Sequence, residues 1–137
     1  MKLENVAYFD NIVINLDNVS TIKIFDDKIK FAYNYTVKKL GNTIPDSFFV
    51  DNTSKLDFIS TDYFKSTFIE YDHNKFLNTK CIVSLRYNKN KGVIIFNLGH
   101  LHTYNKDENG VSTKVEIPEY VYMVASYNDY LALVGGR

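Results

Sequence analysis

The pattern of apolar and polar positions in the first third of the chain is typical of β-strands. Ile29, Phe31, Tyr33 and Tyr35 recur at a spacing of two residues, which places four large side chains on one face of a strand. Asp26-Asp27 precedes this run and can form a hairpin turn, although Asn-Gly or Asp-Gly would suit a type I′ turn better. Further short strands are predicted at residues 12–15, 19–24 and 47–50.

The middle of the chain changes to a helical pattern. Leu56, Ile59 and Tyr63 recur at helical spacing, so we predict one central helical segment around residues 53–69. The sequence Ser60-Thr61-Asp62 inside this segment is itself typical of a helix N-cap. The segment could therefore consist of two short pieces.

Beyond the helical segment, the chain alternates again between apolar runs and polar turns. Val111, Thr113, Val115 and Ile117 alternate with polar residues, and Pro118 is expected to end that strand. The other elements predicted here are a loop at 71–79, strands at 81–87 and 93–102, and polar turns or loops at 88–92 and 105–110.

Residues 119–134 fit two secondary structures. An apolar stripe through Tyr120 and Tyr127 would suit a helix. Residues 121–124 and 130–134 have the composition of strands, and the Ser-Tyr-Asn-Asp sequence between them suits a turn. The sequence favours the hairpin over the helix.

Together these elements predict a single domain of the α+β class that covers residues 1–137, with 134–137 as a loose tail. The domain is expected to be mainly antiparallel β, with about six to eight strands in an open barrel or a sandwich-like arrangement. A chain of 137 residues that is 45% hydrophobic has enough apolar material for one core.

Composition bears on the origin and the compartment of the protein. Lys, Asn, Ile, Phe and Tyr fill 62 of the 137 positions. Their codons are dominated by A and T, which indicates an A/T-rich genome such as that of a low-GC bacterium, its phage or another mobile element. The single cysteine, Cys81, cannot form an internal disulfide and is expected to be a buried, inert thiol. The sequence contains no recognisable signal peptide or membrane-spanning run, so we expect a cytoplasmic protein.

Charge excludes some functions and points to one local site. Sixteen basic and sixteen acidic residues cancel, so the whole molecule has no net charge with which to hold nucleic acid or anionic lipid. Locally, Arg86, Lys89 and Lys91 gather with Tyr87 at the tip of the hairpin predicted at 81–102. Such a tip could contact phosphates and stack a base, although a solvated turn is the ordinary interpretation.

His100 and His102 are candidate metal ligands. Residues two apart on a strand share a face with Cα atoms about 6.6 Å apart, so both imidazoles could reach one ion. A third ligand would have to come from His73, Asp107 or Glu108, and the spacing does not select among them. Polar histidines at a strand end are the ordinary interpretation. We therefore expect no cofactor and, in the absence of common catalytic motifs, we assign no catalytic residue.

The tyrosines are the remaining signal in the sequence. Tyrosine suits half-buried positions and protein interfaces, because its ring packs while its hydroxyl stays in water. The candidate binding residues of this type are Tyr33 and Tyr35 on one strand face, and Tyr120, Tyr122, Tyr127 and Tyr130 near the C-terminus.

These observations predict a small, non-enzymatic module that binds another protein through a tyrosine-rich surface. The A/T-biased composition suggests an accessory protein of a phage or mobile element, for example an inhibitor of a host defence protein. An RNA- or single-stranded nucleic-acid-binding module that uses the basic tip is the first alternative. A metal-dependent hydrolase built around the His-x-His pair is the second. An exposed strand edge could also pair two copies of the chain.

Overall fold

Short strands and tight turns account for most of the chain. The computed structural model describes residues 3–9, 12–39, 42–51, 56–106, 109 and 112–135. The α-helices are α1 (Asp62–Thr67) and α2 (Tyr127–Leu133). The strands are β1 (Val6–Phe9), β2 (Ile12–Asn15), β3 (Val19–Ile24), β4 (Lys28–Lys39), β5 (Asn42–Asp51), β6 (Phe68–Asp72), β7 (Lys75–Asn78), β8 (Ser84–Asn88), β9 (Val93–Lys106) and β10 (Ser112–Val124).

The ten described strands form three antiparallel sheets. The largest has five strands in the order β5-β4-β3-β7-β6, the second has three in the order β10-β9-β8, and β1 pairs with β2 alone. Among the described residues, none of these sheets closes on itself. The predicted α+β class, with mainly antiparallel β-structure, is confirmed, and the strand count exceeds the six to eight expected.

The hairpin of β3 and β4 forms as the sequence predicts. Phe25 N–H donates to the carbonyl of Lys28 (2.8 Å), which closes the chain around Asp26-Asp27. Ile22 on β3 lies opposite Phe31 on β4, and both side chains are fully buried. The alternation read from the sequence therefore corresponds to one buried face of this hairpin.

The five-stranded sheet lies between two apolar clusters. On one face, Ile22, Phe31 and Phe76 pack with residues of the β1–β2 hairpin and of α1. On the other face, Leu77 packs with Phe96 and other side chains of the three-stranded sheet. The adjacent residues Phe76 and Leu77 thus belong to different clusters, because β7 is covered on both sides.

The predicted helical segment is divided into two short helical pieces. A 3-10 helix spans Asp57–Ser60, and the Oγ1 of Thr61 then caps α1 by accepting from Phe64 N–H (3.2 Å). The described helical structure is shorter than the predicted 53–69, since β6 already begins at Phe68 and residues 52–55 lie outside the described part. No helix in the described part of the chain has the length and apolar character needed to cross a membrane.

The prediction of a loop at residues 71–79 is wrong. β6 and β7 form a hairpin across this segment, with a turn at His73 and Asn74. Asn74 has a φ of 57°, a left-handed conformation that asparagine tolerates better than most residues. The strand was not apparent from the sequence because a strand covered on both faces shows no apolar–polar alternation.

The chain enters and leaves the second β-region differently from the prediction. Thr79–Cys81 is a 3-10 turn, so the strand predicted at 81–87 begins at Ser84. Pro118 does not end a strand: β10 continues to Val124 with a register shift between Pro118 and Tyr120. Proline is tolerated there because β10 lies at a sheet edge and the pairing is already irregular.

The prediction of a hairpin at residues 119–134 is also partly wrong. Residues 121–124 are indeed a strand, but they belong to β10 and are followed by helix α2 rather than by a second strand. Ser126 and Asp129 form a capping box: the Ser126 Oγ accepts from Asp129 N–H (3.1 Å), and the Asp129 carboxylate accepts from Ser126 N–H (3.0 Å). The Ser-Tyr-Asn-Asp segment that was predicted to be a turn therefore begins helix α2.

Candidate functional site

Two groups of residues that were separate in the sequence meet at the end of the three-stranded sheet. Tyr87 from the basic tip contacts both Tyr127 and Tyr130 of α2, with ring centroids 5.5 Å and 5.7 Å away, and the latter two rings stack on each other at 6.0 Å. The hydroxyl of Tyr87 donates to the carbonyl of Ala125 (3.0 Å), and Lys89 Nζ lies 5.2 Å from the Tyr127 ring centroid. We call Tyr87, Lys89, Tyr127 and Tyr130 the tip cluster, and its contacts hold α2 against β8.

The turn beside the tip cluster is held in one conformation by its own hydrogen bonds. The Oδ1 of Asn88 accepts from the backbone N–H groups of Asn90 (3.0 Å) and Lys91 (3.2 Å). Gly92 closes the turn at a φ of 63°, which a residue with a Cβ adopts only under strain. Lys91 is exposed, as is Arg86 on the strand before the turn. The tip is therefore a well-ordered basic turn, in which Lys89 already contacts an aromatic ring.

The position of α2 should depend on pH through its capping box. The backbone N–H of Ser126, and then its hydroxyl, lower the pKa of Asp129 from the ordinary value of 3.8. The stabilisation of α2 is thus present above pH 3.8 and is lost as the pH falls through the lowered pKa of the folded state. In an NMR titration we expect the Asp129 carboxyl to titrate below 3.8, together with shifts of the Tyr127 and Tyr130 ring protons.

Asp129→Asn supplies the control for this titration, because an asparagine can still accept at the cap but cannot take up a proton. We expect the two tyrosine ring shifts to lose their acid dependence in that variant. A carboxyl midpoint for Asp129 at or above 3.8 would contradict the role given to the capping box.

Two of the predicted binding residues, Arg86 and Tyr122, lie on the outward face of the three-stranded sheet. Arg86 on β8 and Tyr122 on β10 both lie opposite Ile95 on β9, one on each side. Ile95 is only 5% exposed although it alternates with the inward-facing Ile94 and Phe96. The flanking Arg86 and Tyr122 account for this burial, since directly opposed cross-strand side chains are in contact range.

A groove lies between β10 and the uncovered part of the five-stranded sheet. Its volume is about 550 Å³, within the range of small-molecule sites in proteins. Aromatic and cationic residues are among those that line it. The lining residues are Thr21, Lys23, Lys30, Ala32, Tyr33, Ser47, Tyr71, Asp72, Lys75, Tyr120, Val121 and Tyr122. We call it the tyrosine groove.

The cationic wall of the tyrosine groove is a row of lysines on three adjacent strands. Lys23 on β3 lies directly opposite Lys30 on β4 and also directly opposite Lys75 on β7. Lys75 forms an ion pair with Asp72 (3.5 Å). The pKa of Asp72 is lowered first by the backbone N–H of His73 and further by Lys75. This aspartate therefore remains ionised near neutral pH and neutralises one of the three lysines.

The groove brings together some of the predicted tyrosines and adds one that was missed. Tyr33, Tyr120 and Tyr122 all line it, although they lie on two sheets. Tyr71 is the addition, on the strand that was predicted to be a loop. Tyr35 lies on β4, but its side chain is outside the described part of the structure, so the shared face predicted for Tyr33 and Tyr35 is not tested.

The lysine row was partly visible in the sequence. A hairpin with its turn at Asp26-Asp27 must place Lys23 opposite Lys30, so this pair followed from the predicted turn. Lys75 could not be added because residues 71–79 were assigned to a loop. The row thus depends on the pairing of β7 with β3, which joins positions about fifty residues apart in the chain.

The predicted histidine site is not assembled from described side chains. His100 and His102 lie on β9 opposite Pro118 and Glu116, but their side chains are outside the described part, as are residues 107–108 altogether. His73 is exposed in the β6–β7 turn. Among the side chains that the structure describes, no group of three or more histidine, cysteine or acidic residues could hold a metal ion.

Cys81 differs from its predicted environment. It lies in the 3-10 turn after β7, not in a strand, and it is half-buried. Its Sγ lies 3.9 Å from the carbonyl oxygen of Val19. The thiol is therefore packed against the start of β3 but is not fully enclosed.

Comparison with known proteins adds no identification to this geometry. No protein-family model matches the sequence, and neither the curated proteins nor the solved structures contain a match to the chain.

Proposed function

We propose that this protein is a non-enzymatic binding module that docks a partner protein on a tyrosine-rich surface formed by β10 and α2. The observation that carries the proposal is a run of exposed large side chains: Tyr120, Tyr122 and Val124 are 44%, 58% and 86% exposed, and Tyr127 and Leu133 follow at 46% and 42%. These five residues are the docking surface. Tyr120, Tyr122 and Val124 alternate along β10 and share its outward face, and Tyr127 and Leu133 lie on α2, which follows it. Exposed apolar side chains that share a face are characteristic of interaction sites.

The chemistry of the docking surface also supports a protein partner. Tyrosine and arginine are enriched at interfaces, and Arg86 lies beside Tyr122 across Ile95. The surface is held in place before binding, because the capping box and the tip cluster fix α2 against the sheet. A preorganised surface loses less conformational entropy when a partner binds.

The A/T-biased composition extends the proposal to origin and target. It suits an accessory protein of a phage or mobile element that acts in the cytoplasm of a bacterial host, for example as an inhibitor of a host defence protein. This extension rests on composition and size alone, whereas the docking surface rests on named side chains.

The test is a quantitative pull-down from lysates of low-GC bacteria, treated with nuclease, using matched tyrosine variants. Truncating a tyrosine hot spot costs about 2 kcal/mol or more, so Tyr122→Ala should lower affinity for a partner by about 30-fold. Tyr8→Ala is the control, since Tyr8 is 51% exposed but lies on β1, outside the docking surface. Equal losses in the two variants, or no stoichiometric partner for the unaltered protein, would count against the proposal.

A second candidate function is binding of single-stranded nucleic acid by the basic tip. The observation that favours it is the neighbourhood of Arg86 and Tyr122 on one exposed sheet face, beside the exposed Lys91. Arginine and an exposed aromatic ring together can hold a phosphate and stack a base. Binding that Arg86→Ala weakens, with a reduced salt dependence, would support this function over protein docking.

A further inference from the structure

The lysine row is electrostatically unfavourable in the unliganded protein. Like charges placed directly opposite each other on neighbouring strands destabilise a sheet, and Lys23 has such a neighbour on both sides. All three lysines are half-buried, so water screens their repulsion less than at a fully exposed site. In the described part of the chain, Asp72 is the ion-pair partner of Lys75, and neither Lys23 nor Lys30 has one. A bound anion would relieve the repulsion.

The length of the lysine row favours a ligand with several linked negative charges over a ligand with one. Neighbouring strands lie about 4.8 Å apart, so the outer two lysines, Lys30 and Lys75, are separated at their Cα atoms by about twice that distance. Long lysine side chains can converge from this spacing on a chain of linked phosphates. With Asp72 included, the row carries a net charge of +2 (three lysines and one aspartate), which a diphosphate or triphosphate would neutralise.

One aromatic ring lies on the same side of the five-stranded sheet as the lysines. Tyr71 on β6 lines the groove and packs in the apolar cluster on that side. The rings of Tyr120 and Tyr122 alternate with the inward-facing Val121 and lie on the outward face of β10, and Tyr33 packs in the cluster on the other side of the five-stranded sheet. Stacking on an aromatic side chain contributes about 1 to 3 kcal/mol per nucleobase. The volume of about 550 Å³ is large enough for one such ligand and too small for a folded partner.

We propose that the tyrosine groove binds a nucleotide, with its phosphates on Lys23, Lys30 and Lys75 and its base against Tyr71. This is a small-ligand site in addition to the docking surface. A free nucleotide and the end of a single-stranded nucleic acid share the same chemistry, and the three lysines of the row match the few linked phosphates of one free nucleotide.

The test measures binding by calorimetry and the melting temperature with ATP, pyrophosphate, adenosine and an oligoadenylate. We expect ATP to bind and to raise the melting temperature, pyrophosphate to bind more weakly, and adenosine to bind weakly or not at all. Lys23→Thr should weaken ATP binding by about tenfold or more, while Lys23→Arg should retain it. Tyr71→Leu, which keeps an apolar side chain in the cluster but removes the ring, should weaken binding of ATP but not of pyrophosphate.

Lys28→Thr is the matched control. Lys28 is half-buried and lies on β4 two residues before Lys30. Both lysines lie over the Phe49 ring (4.7 Å and 6.0 Å), but Lys28 does not line the groove. Without ligand, Lys23→Thr should melt at a higher temperature than the unaltered protein, because a repulsive neighbour is removed; this also shows that the variant folds. Failure of ATP and pyrophosphate to bind, or equal weakening by Lys28→Thr, would overturn the proposal. Binding confined to the oligoadenylate would assign the groove to single-stranded nucleic acid instead.

Discussion

Replacing Phe31 with alanine is expected to lower the free energy of unfolding by about 4 kcal/mol, the typical cost of truncating a buried phenylalanine. Phe31 is fully buried. Its ring centroid lies 5.9 Å from those of both Phe9 and Phe58, so one substitution removes contacts to the β1–β2 hairpin and to the 3-10 helix before α1. A single domain is typically stable by about 5 to 15 kcal/mol. The variant should therefore be close to the limit of folding.

Urea denaturation followed by circular dichroism measures this loss, and Phe49→Ala is the control. Phe49 lies on the strand next to Phe31 but is 54% exposed and packs against Lys28, so we expect its truncation to cost less than about 1 kcal/mol. If both variants were destabilised equally, the five-stranded sheet would not bury the face of β4 that carries Phe31.

Asn78→Ala is expected to destabilise the protein by about 3 kcal/mol, because it removes three hydrogen bonds that one fully buried side chain makes to the backbone. Asn78 is fully buried. Its Nδ2 donates to the carbonyls of Leu16 (3.3 Å) and Val19 (3.0 Å), and its Oδ1 accepts from Lys80 N–H (2.9 Å). One side chain thus connects the end of β7 to the 3-10 turn Leu16–Asn18, which leads into β3.

Asn88→Ala is the control for Asn78, and urea denaturation again measures the difference. Asn88 also accepts from two backbone N–H groups, but these belong to an exposed turn where water can replace the side chain. We expect a loss of about 1 kcal/mol or less for Asn88→Ala. If both variants lost a similar free energy of unfolding, Asn78 would stabilise only its own turn, and its hydrogen bonds to the start of β3 would contribute little.

The docking surface and the tyrosine groove share Tyr120 and Tyr122 but can be separated by other residues. Val124 belongs to the docking surface and does not line the groove, whereas Lys23 lines the groove and lies outside the docking surface. Val124→Asp should therefore impair partner binding while leaving ATP binding intact. Lys23→Thr should have the opposite effect, so failure of one proposal would not imply failure of the other.

Features that depend on a few neighbouring residues were predictable from the sequence. The alternation of Ile29 and Phe31 predicts the buried face of β4, and the Asp26-Asp27 turn predicts the β3–β4 hairpin. The N-cap sequence at Thr61 predicts where the helical segment divides. These succeed because turn geometry, capping and side-chain alternation act within one turn or strand.

Features that depend on what packs against a segment were missed. β7 is covered on both faces, so it shows no alternation and was assigned to a loop. The Ser126–Asp129 sequence suits either a turn or a capping box, and α2 forms because Tyr127 and Tyr130 pack against Tyr87 from a distant strand. Pro118 stands inside β10 because that strand lies at a sheet edge.

The sequence by itself determined the class of this protein: a mainly antiparallel α+β fold, a basic hairpin tip and an excess of tyrosine near the C-terminus. Only the tertiary structure decided which of these residues meet. Sheet order placed Lys75 beside Lys23, and the pairing of β6 with β7 placed Tyr71 on the same side of the sheet. The physical reason is that strand pairing and sheet packing join residues far apart in the chain, whereas propensity and periodicity report only on neighbours.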